Sequence, residues 1–399
     1  MQRIPLARRA AALPPSRAPH PRDSISFESG HAFPGVLPDL TRESERALTH
    51  ANETLQYGPR PGLPGLRDWI SGHMTSEGAR VTADQVLITN GAKHALELVC
   101  RALLDEGDAV VVTAPTYFSA IPIIRSFGAR FLEVGQDAAG IDTVAVGALL
   151  RERRQAGAPL PKFIYDVPDF HNPTGVTTTL ERRQALLQVA SDFGVILVED
   201  SPYRSVRFEG APLPPLKALD PDNLVLHLGT FAKLLAPGLR VGWVAGDPDL
   251  IARMTALKTD AGSCPLTQRI VLEFCQAGRL GEHTRRVQEA YGLHRDRMIA
   301  AIRRELPDVQ FQVPSGGYYV WLTLPEDMDG AELERQAARE GVAIIAGSRF
   351  FAVSGPEQGA RHVRVAYSHA DVDEIDEGVR RMAAAYRMVS AADSVGVGR

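Results

Sequence analysis

The chain has 399 residues, 44% of them apolar and 23% charged, with a formal net charge of −4. That balance supports a substantial core and argues against a broad basic surface for nucleic acid or an anionic membrane. Three widely spaced cysteines, Cys100, Cys264 and Cys275, argue against a disulfide framework and a zinc site, so a reducing, cytoplasmic setting is the default expectation and no metal is expected.

Residues 1–24 are rich in Arg, Pro and Ala and lack the apolar run of a signal peptide. The prolines between Leu13 and Pro21 argue against an amphipathic transit helix, and the segment is expected to be a flexible arm. No stretch elsewhere is long enough to span a bilayer. From Val81 onward short apolar strands alternate with helices, the pattern of a largely parallel sheet covered on both faces. Strands are predicted at Val86–Thr89, Ala109–Thr113, Phe131–Val134, Phe163–Tyr165, Val195–Val198, Leu224–Leu228 and Val241–Ala245. A helix after the first carries Ala92, Ala95, Leu96, Val99, Cys100, Leu103 and Leu104 on one stripe, and Glu181–Phe193 reads as a crossover helix. Beyond these lie a charged helix (His283–Glu305), an alternating strand (Gly316–Leu324), a helix (Ala331–Gly341), strands at Val342–Ile345 and His362–Tyr367, and a last helix (Asp371–Arg387). Residues Ser390 to Arg399 are expected to fray.

The most informative segment is Thr230-Phe-Ala-Lys-Leu-Leu-Ala-Pro-Gly-Leu-Arg240, held between two apolar runs. A lysine in a tight turn at the edge of a core loses proton affinity by desolvation and becomes a nucleophile. Arg240 offers a planar fork suited to a phosphate. A second segment is Asp169-Phe-His-Asn-Pro-Thr-Gly175, and a third, Val195–Tyr203, puts Asp200 at the carboxyl end of a strand, where open α/β sheets bind ligands. Singly, these have ordinary readings: solvated edge cations, turn chemistry, a capping acid. Their order along the chain is far more specific. It resembles the fold-type I pyridoxal phosphate (PLP) enzymes within the class I/II aminotransferases, from about Ile25 to the last helix. The resemblance implies an α/β, aspartate aminotransferase-like fold. A large domain (49–289) would hold a mostly parallel sheet between helices, and residues 25–48 and 290–399 would form a small α+β domain.

By the same resemblance, Lys233, Asp200 and Tyr203 are the catalytic candidates. Lys233 would hold PLP as a Schiff base and Asp200 would keep the ring nitrogen protonated. Asn172 and Tyr203 would reach the 3′-oxygen, and Tyr117 would stack on the ring. Gly91, Ala92, Lys93, Thr230 and Arg240 would bind the phosphate. Tyr57 would reach the phosphate of a neighbouring subunit, which implies a homodimer with shared sites. Arg364, with Asn172, would clamp the substrate carboxylate. The spelling is closest to the branch of 2-aminoadipate, kynurenine and aromatic amino-acid aminotransferases, with departures. Thr230 and Ala232 stand where that branch has serines, and Gly91-Ala92-Lys93 replaces Gly-Ser-Gln, a loss of about 1 kcal/mol for each missing hydrogen bond. Ser29-Gly30-His31 replaces Gly-Gly and an apolar residue, so Gly30 and His31 are candidate substrate contacts; Arg22 is the only basic residue near them.

The implied activity is transfer of an amino group between an L-amino acid and a 2-oxo acid, 2-oxoglutarate or pyruvate. Elimination, replacement, cyclisation or oxidation of an amino acid would use the same residues. A regulator with this fold behind a DNA-binding domain is the third reading; only the short arm precedes Ile25, with no recognition helix or basic face.

Overall fold

A computed structural model describes residues 6–7, 24–353 and 356–396. The arm expected over 1–24 lies almost wholly outside them, Arg22 included. Among the described residues no helix is long and apolar enough to cross a membrane.

The first strand is β1 (Ile25–Ser26). An eight-stranded sheet follows: β2 (Val86–Thr89), β3 (Ala109–Ala114), β4 (Arg130–Asp137), β5 (Gly140–Ile141), β6 (Phe163–Asp166), β7 (Ile196–Asp200), β8 (Val225–Thr230) and β9 (Gly242–Ala245). Their order is β2-β9-β8-β7-β6-β3-β4-β5. The run from β8 to β4 is parallel, whereas β9 lies antiparallel to both β8 and β2, and β5 antiparallel to β4. Strands β2, β6 and β8 are buried at every position, β2 even though it ends the sheet, which is why they read as unbroken apolar runs.

Helix α1 (Ala92–Leu103) buries Ala95, Leu96, Leu98, Val99 and Cys100, close to the predicted stripe. Helix α2 (Leu180–Phe193) is the crossover between β6 and β7. The Thr179 hydroxyl accepts from the Arg182 amide at its start, and Gly194 ends it in the left-handed region at φ 67°.

Four further strands, β10 (Gln310–Phe311), β11 (Tyr319–Thr323), β13 (Ile345–Ala346) and β14 (His362–Ala366), form an antiparallel sheet in the order β10-β11-β14-β13, while β12 (Val342–Ala343) pairs parallel with β1. The single strand expected over Val342–Ile345 is therefore two, because its halves serve different sheets. Gly316 and Gly317, expected inside β11, precede it; Gly317 has φ 77°. Helices α3 (Leu280–Glu305) and α4 (Val372–Gly396) cover this sheet, with Phe27, Met298, Ile302, Val320, Val363 and Ile375 in one core. Helix α4 continues into the tail that was expected to fray.

Behind the large sheet's carboxyl edge lies a buried ion cluster. Asp169 receives Arg183 at 2.9 Å and Arg204 and Arg207 at 3.4 Å. Arg183 is fully buried and spends its remaining donors on the carbonyls of Pro168, Thr178 and Pro214. A buried guanidinium is tolerated only when its donors are met and its charge is paired. Asp169→Ala strands that charge, and we expect a loss of about 3–5 kcal/mol of stability, measured by urea unfolding. The exposed Arg335–Glu332 pair is the control: Arg335→Ala is expected to change stability by less than about 1 kcal/mol.

Candidate active site

A cavity of about 750 Å³ opens at the carboxyl ends of the parallel strands. Asp200 ends β7, Thr230 ends β8, Tyr117 follows β3 and Asn172 follows β6, while β11 and β14 close the far side with Tyr319 and Arg364. The topology thus gathers residues more than 330 positions apart in sequence.

Lys233 lies in the excursion between β8 and β9. Its Nζ donates to the carbonyl of Gly30 and sits 5.1 Å from the centre of the Tyr318 ring. Burial, then the cations of Arg364, Lys93 and Arg240, push the amine down from 10.5 to about 8. Asp200 is buried, and burial pushes it up to about 6, opposed by the hydroxyl of Tyr165, which donates to Oδ2 at 2.7 Å, and by His227. Its Oδ1 has no hydrogen-bond partner among the described residues, and neither does Nδ2 of Asn172. Two unsatisfied buried polar atoms on one cavity wall mark places where a ligand completes the bonding.

Tyr203 donates to the Tyr319 hydroxyl at 3.1 Å. Arg364, on β14, is fully buried: Nη1 donates to Asn172 Oδ1 at 3.0 Å, Nη2 to the carbonyl of Glu28, and the guanidinium lies 4.1 Å from the Tyr319 ring centre. Burial holds its pKa below the usual arginine value.

At the other end, Gly91 is the N-cap of α1 with φ 85°, and no side chain caps the helix. The backbone at φ 85° and ψ 170° calls for glycine, and its missing Cβ lets Arg240 Nη2 come close, to a point 2.8 Å from where a Cβ would lie. Lys93 and Ala92 face the cavity on the first turn. Partial desolvation, then the neighbouring Arg240, lower the Lys93 amine. The Thr230 hydroxyl is engaged locally, accepting from the Ala232 amide at 3.1 Å.

Thus Lys233, Asp200, Tyr203, Asn172, Tyr117, Thr230, Ala92, Lys93, Arg240, Arg364, Gly30 and His31 meet at one cavity, with Gly91 immediately behind it. Tyr57 is not brought there; its side chain is 83% exposed. Sequence reasoning missed Tyr165 and Tyr319. Tyr165 was read only as strand interior, although a buried tyrosine hydroxyl needs a partner and Asp200 lies on the same face of the next strand. Tyr319 was visible only as a member of the alternating strand predicted over Gly316–Leu324.

Sheet and cavity together define the fold of the PLP-dependent transferases. The family described as aminotransferase class I and II matches residues 24–382. An aromatic-amino-acid aminotransferase of Thermococcus litoralis is 34% identical, over 90% of this chain and 87% of its own length. Two crystal structures superpose over nearly the whole length. A Pyrococcus horikoshii kynurenine aminotransferase in complex with PMP has TM-score 0.89 and 31% identity, covering 96% of this chain and 97% of that one. A Thermus thermophilus alpha-aminoadipate aminotransferase, complexed with N-(5'-phosphopyridoxyl)-L-leucine, has TM-score 0.86 and 34% identity, covering 93% and 94%. The chain belongs to the class I and II aminotransferase family, and PLP is its cofactor.

The Lys233 environment has a pH signature. In cofactor-free protein the amine is mostly protonated below about pH 8 and mostly free above it, so labelling of Lys233 by an acylating reagent should rise with a midpoint near 8. Arg364→Met removes the largest cationic contribution and should move that midpoint upward. Mass spectrometry of the labelled peptide across pH reads both; a wild-type midpoint near the ordinary 10.5 would contradict the desolvated site.

Proposed function

We propose that this chain moves an amino group between an L-amino acid and a 2-oxo acid, 2-oxoglutarate or pyruvate, as a cytoplasmic homodimer with shared active sites. One arrangement supports the reading above all: a lysine of lowered proton affinity, a buried carboxylate and amide each with an unsatisfied atom, and a buried arginine all face one cavity. The three free cysteines, two of them buried, fit a reducing compartment.

Bound PLP supplies an aldehyde for covalent attachment and a ring that withdraws electrons from the substrate Cα. Asp200 Oδ1 is suited to hold a proton on the ring nitrogen, with Tyr165 steadying the other oxygen. Asn172 Nδ2 would donate to the ring oxygen, as would the Tyr203 hydroxyl on turning from Tyr319, and Tyr117 would flank the ring. Arg240, Lys93 and the α1 amides beginning at Ala92 would bind the phosphate, with Gly91 leaving room for Arg240 and Thr230 bracing the turn beside them. The partner subunit would add Tyr57. In this reading residues 49–289 are the large domain, and 25–48 with 290–399 are the small domain that brings Gly30 and Arg364.

Arg364 binds the α-carboxylate and so fixes the direction of the Cα–H bond. Its partners, Asn172 and the carbonyl of Glu28, hold the fork in place before substrate arrives. Lys233 Nζ, with a proton affinity near neutrality, takes the Cα proton and returns it. Gly30 is confined to glycine, since a Cβ would fall 2.2 Å from the Tyr319 hydroxyl, and His31 meets the substrate side chain.

Single amino acids added to the cofactor-loaded protein, with no 2-oxo acid present, should change its absorbance stoichiometrically, and 2-oxoglutarate or pyruvate should reverse the change. Continuous turnover without an acceptor, releasing ammonia, would overturn the transfer reading in favour of elimination. The shared site has its own test. Tyr57→Ala and Lys233→Ala subunits, refolded together, should yield hybrids with one intact site and regain activity that neither parent has at limiting cofactor. No gain on mixing would remove Tyr57 from the site.

A further inference from the structure

Phe170 is buried yet has φ 51°, a left-handed backbone that a bulky residue adopts only when its surroundings hold it there. Both neighbours are fixed. Asp169 is locked by three arginines, and the buried His171 ring contacts the hydroxyls of Thr113 and Thr174, each at 3.1 Å. The ring of Phe170 has one seat. A Cβ on Gly316 would lie 2.4 Å from its Cζ, and one on Gly317 would lie 2.7 Å from its Cβ, so the ring rests directly on the backbone of the glycine pair. Arg207 closes the seat from above, 4.7 Å from the ring centre, and is bridged to Gly316 through the main chain.

Two residues on from each partner lie two parts of the substrate site. After Phe170 comes Asn172, which accepts from Arg364 at 3.0 Å; after Gly317 comes Tyr319, whose ring supports the Arg364 guanidinium. The loop from the large sheet therefore touches the second sheet twice, at Phe170 on the glycines that lead into β11 and at Asn172 on Arg364 of the adjacent β14. We infer that Phe170 is a positioning residue for the carboxylate site: its forced conformation and its glycine seat set the distance between Asn172 and Arg364. The contact holds the Oδ1 side of Asn172 against Arg364, so its effect falls first on substrate binding, and only secondarily on the Nδ2 that Asn172 offers to the cofactor. The inference rests on the reading of Arg364 as the carboxylate-binding group.

Phe170→Ala is expected to raise KM for both the amino acid and the 2-oxo acid roughly tenfold, the scale of one charge-assisted hydrogen bond, while kcat changes much less. The PLP Kd, which rests mainly on the phosphate site and Lys233, should rise by much less than KM. Half-reaction with an amine that lacks the α-carboxylate should be unaffected, a selectivity that general loosening does not give. Phe170→Leu keeps the Cβ and most of the bulk; it serves if the alanine variant does not fold, with an expected rise of roughly threefold. A KM that does not move, or a rise matched by weaker PLP binding and slower reaction of the amine, overturns the inference. Arg364→Lys separates the two levels. If it leaves KM unchanged, the underlying reading of Arg364 falls; if it raises KM while neither Phe170 variant does, only the role of Phe170 falls.

Discussion

Everything in the site is arranged around one electrostatic difficulty, an amine taken out of water in the company of other cations. Lys233 shares its cavity with Lys93, Arg240 and Arg364. Each of those charges raises the cost of protonating Lys233, and that cost makes it a base and nucleophile near neutral pH. The arrangement is tolerable because the two arginines have oxygen partners: Arg364 donates to Asn172 and to the carbonyl of Glu28, and Arg240 to the carbonyl of Asn90. Asp200 supplies the one deeply buried acid on the same wall, with half of its carboxylate already satisfied by Tyr165.

What could be read from the sequence followed from how local each constraint is. Strands such as Val86–Thr89 and the stripe of α1 were legible because complete burial leaves unbroken apolar runs and helical spacing. Lys233, Asp200 and Asn172 were legible because each lies at the end of such a run, where the chain turns. Three features were not. The split of 342–346 between two sheets depends on β1, more than 300 residues earlier. The Tyr165–Asp200 bond depends on the register of two strands joined through α2. The seat of Phe170 on Gly316 and Gly317 depends on which loop faces which strand, and a Gly-Gly pair announces only that something comes close.

The departures from the family spelling also acquire a physical meaning. The Thr230 hydroxyl accepts from the Ala232 amide and contacts the carbonyl of Val241 at 3.4 Å, so it braces the turn that carries Lys233. With alanine at 92 and 232, the proposed phosphate end is left to charge and to backbone amides. Lys93 and Arg240 converge there, and a point charge tolerates small errors of placement that a hydroxyl does not.

The parallel pairing of β1 with β12 has a consequence for the order in which the site is assembled during synthesis. Residues 28–31 leave the ribosome more than 300 residues ahead of Val342 and Ala343, with which the strand that anchors them pairs. The large sheet, with Asp200 and Lys233, has all its strands by residue 245 and is available to fold while the remainder is still being translated. The earliest-made part of the cavity wall is thus the last to find its place, and a chain interrupted before residue 342 carries Lys233 without the carbonyl of Gly30 fixed against it.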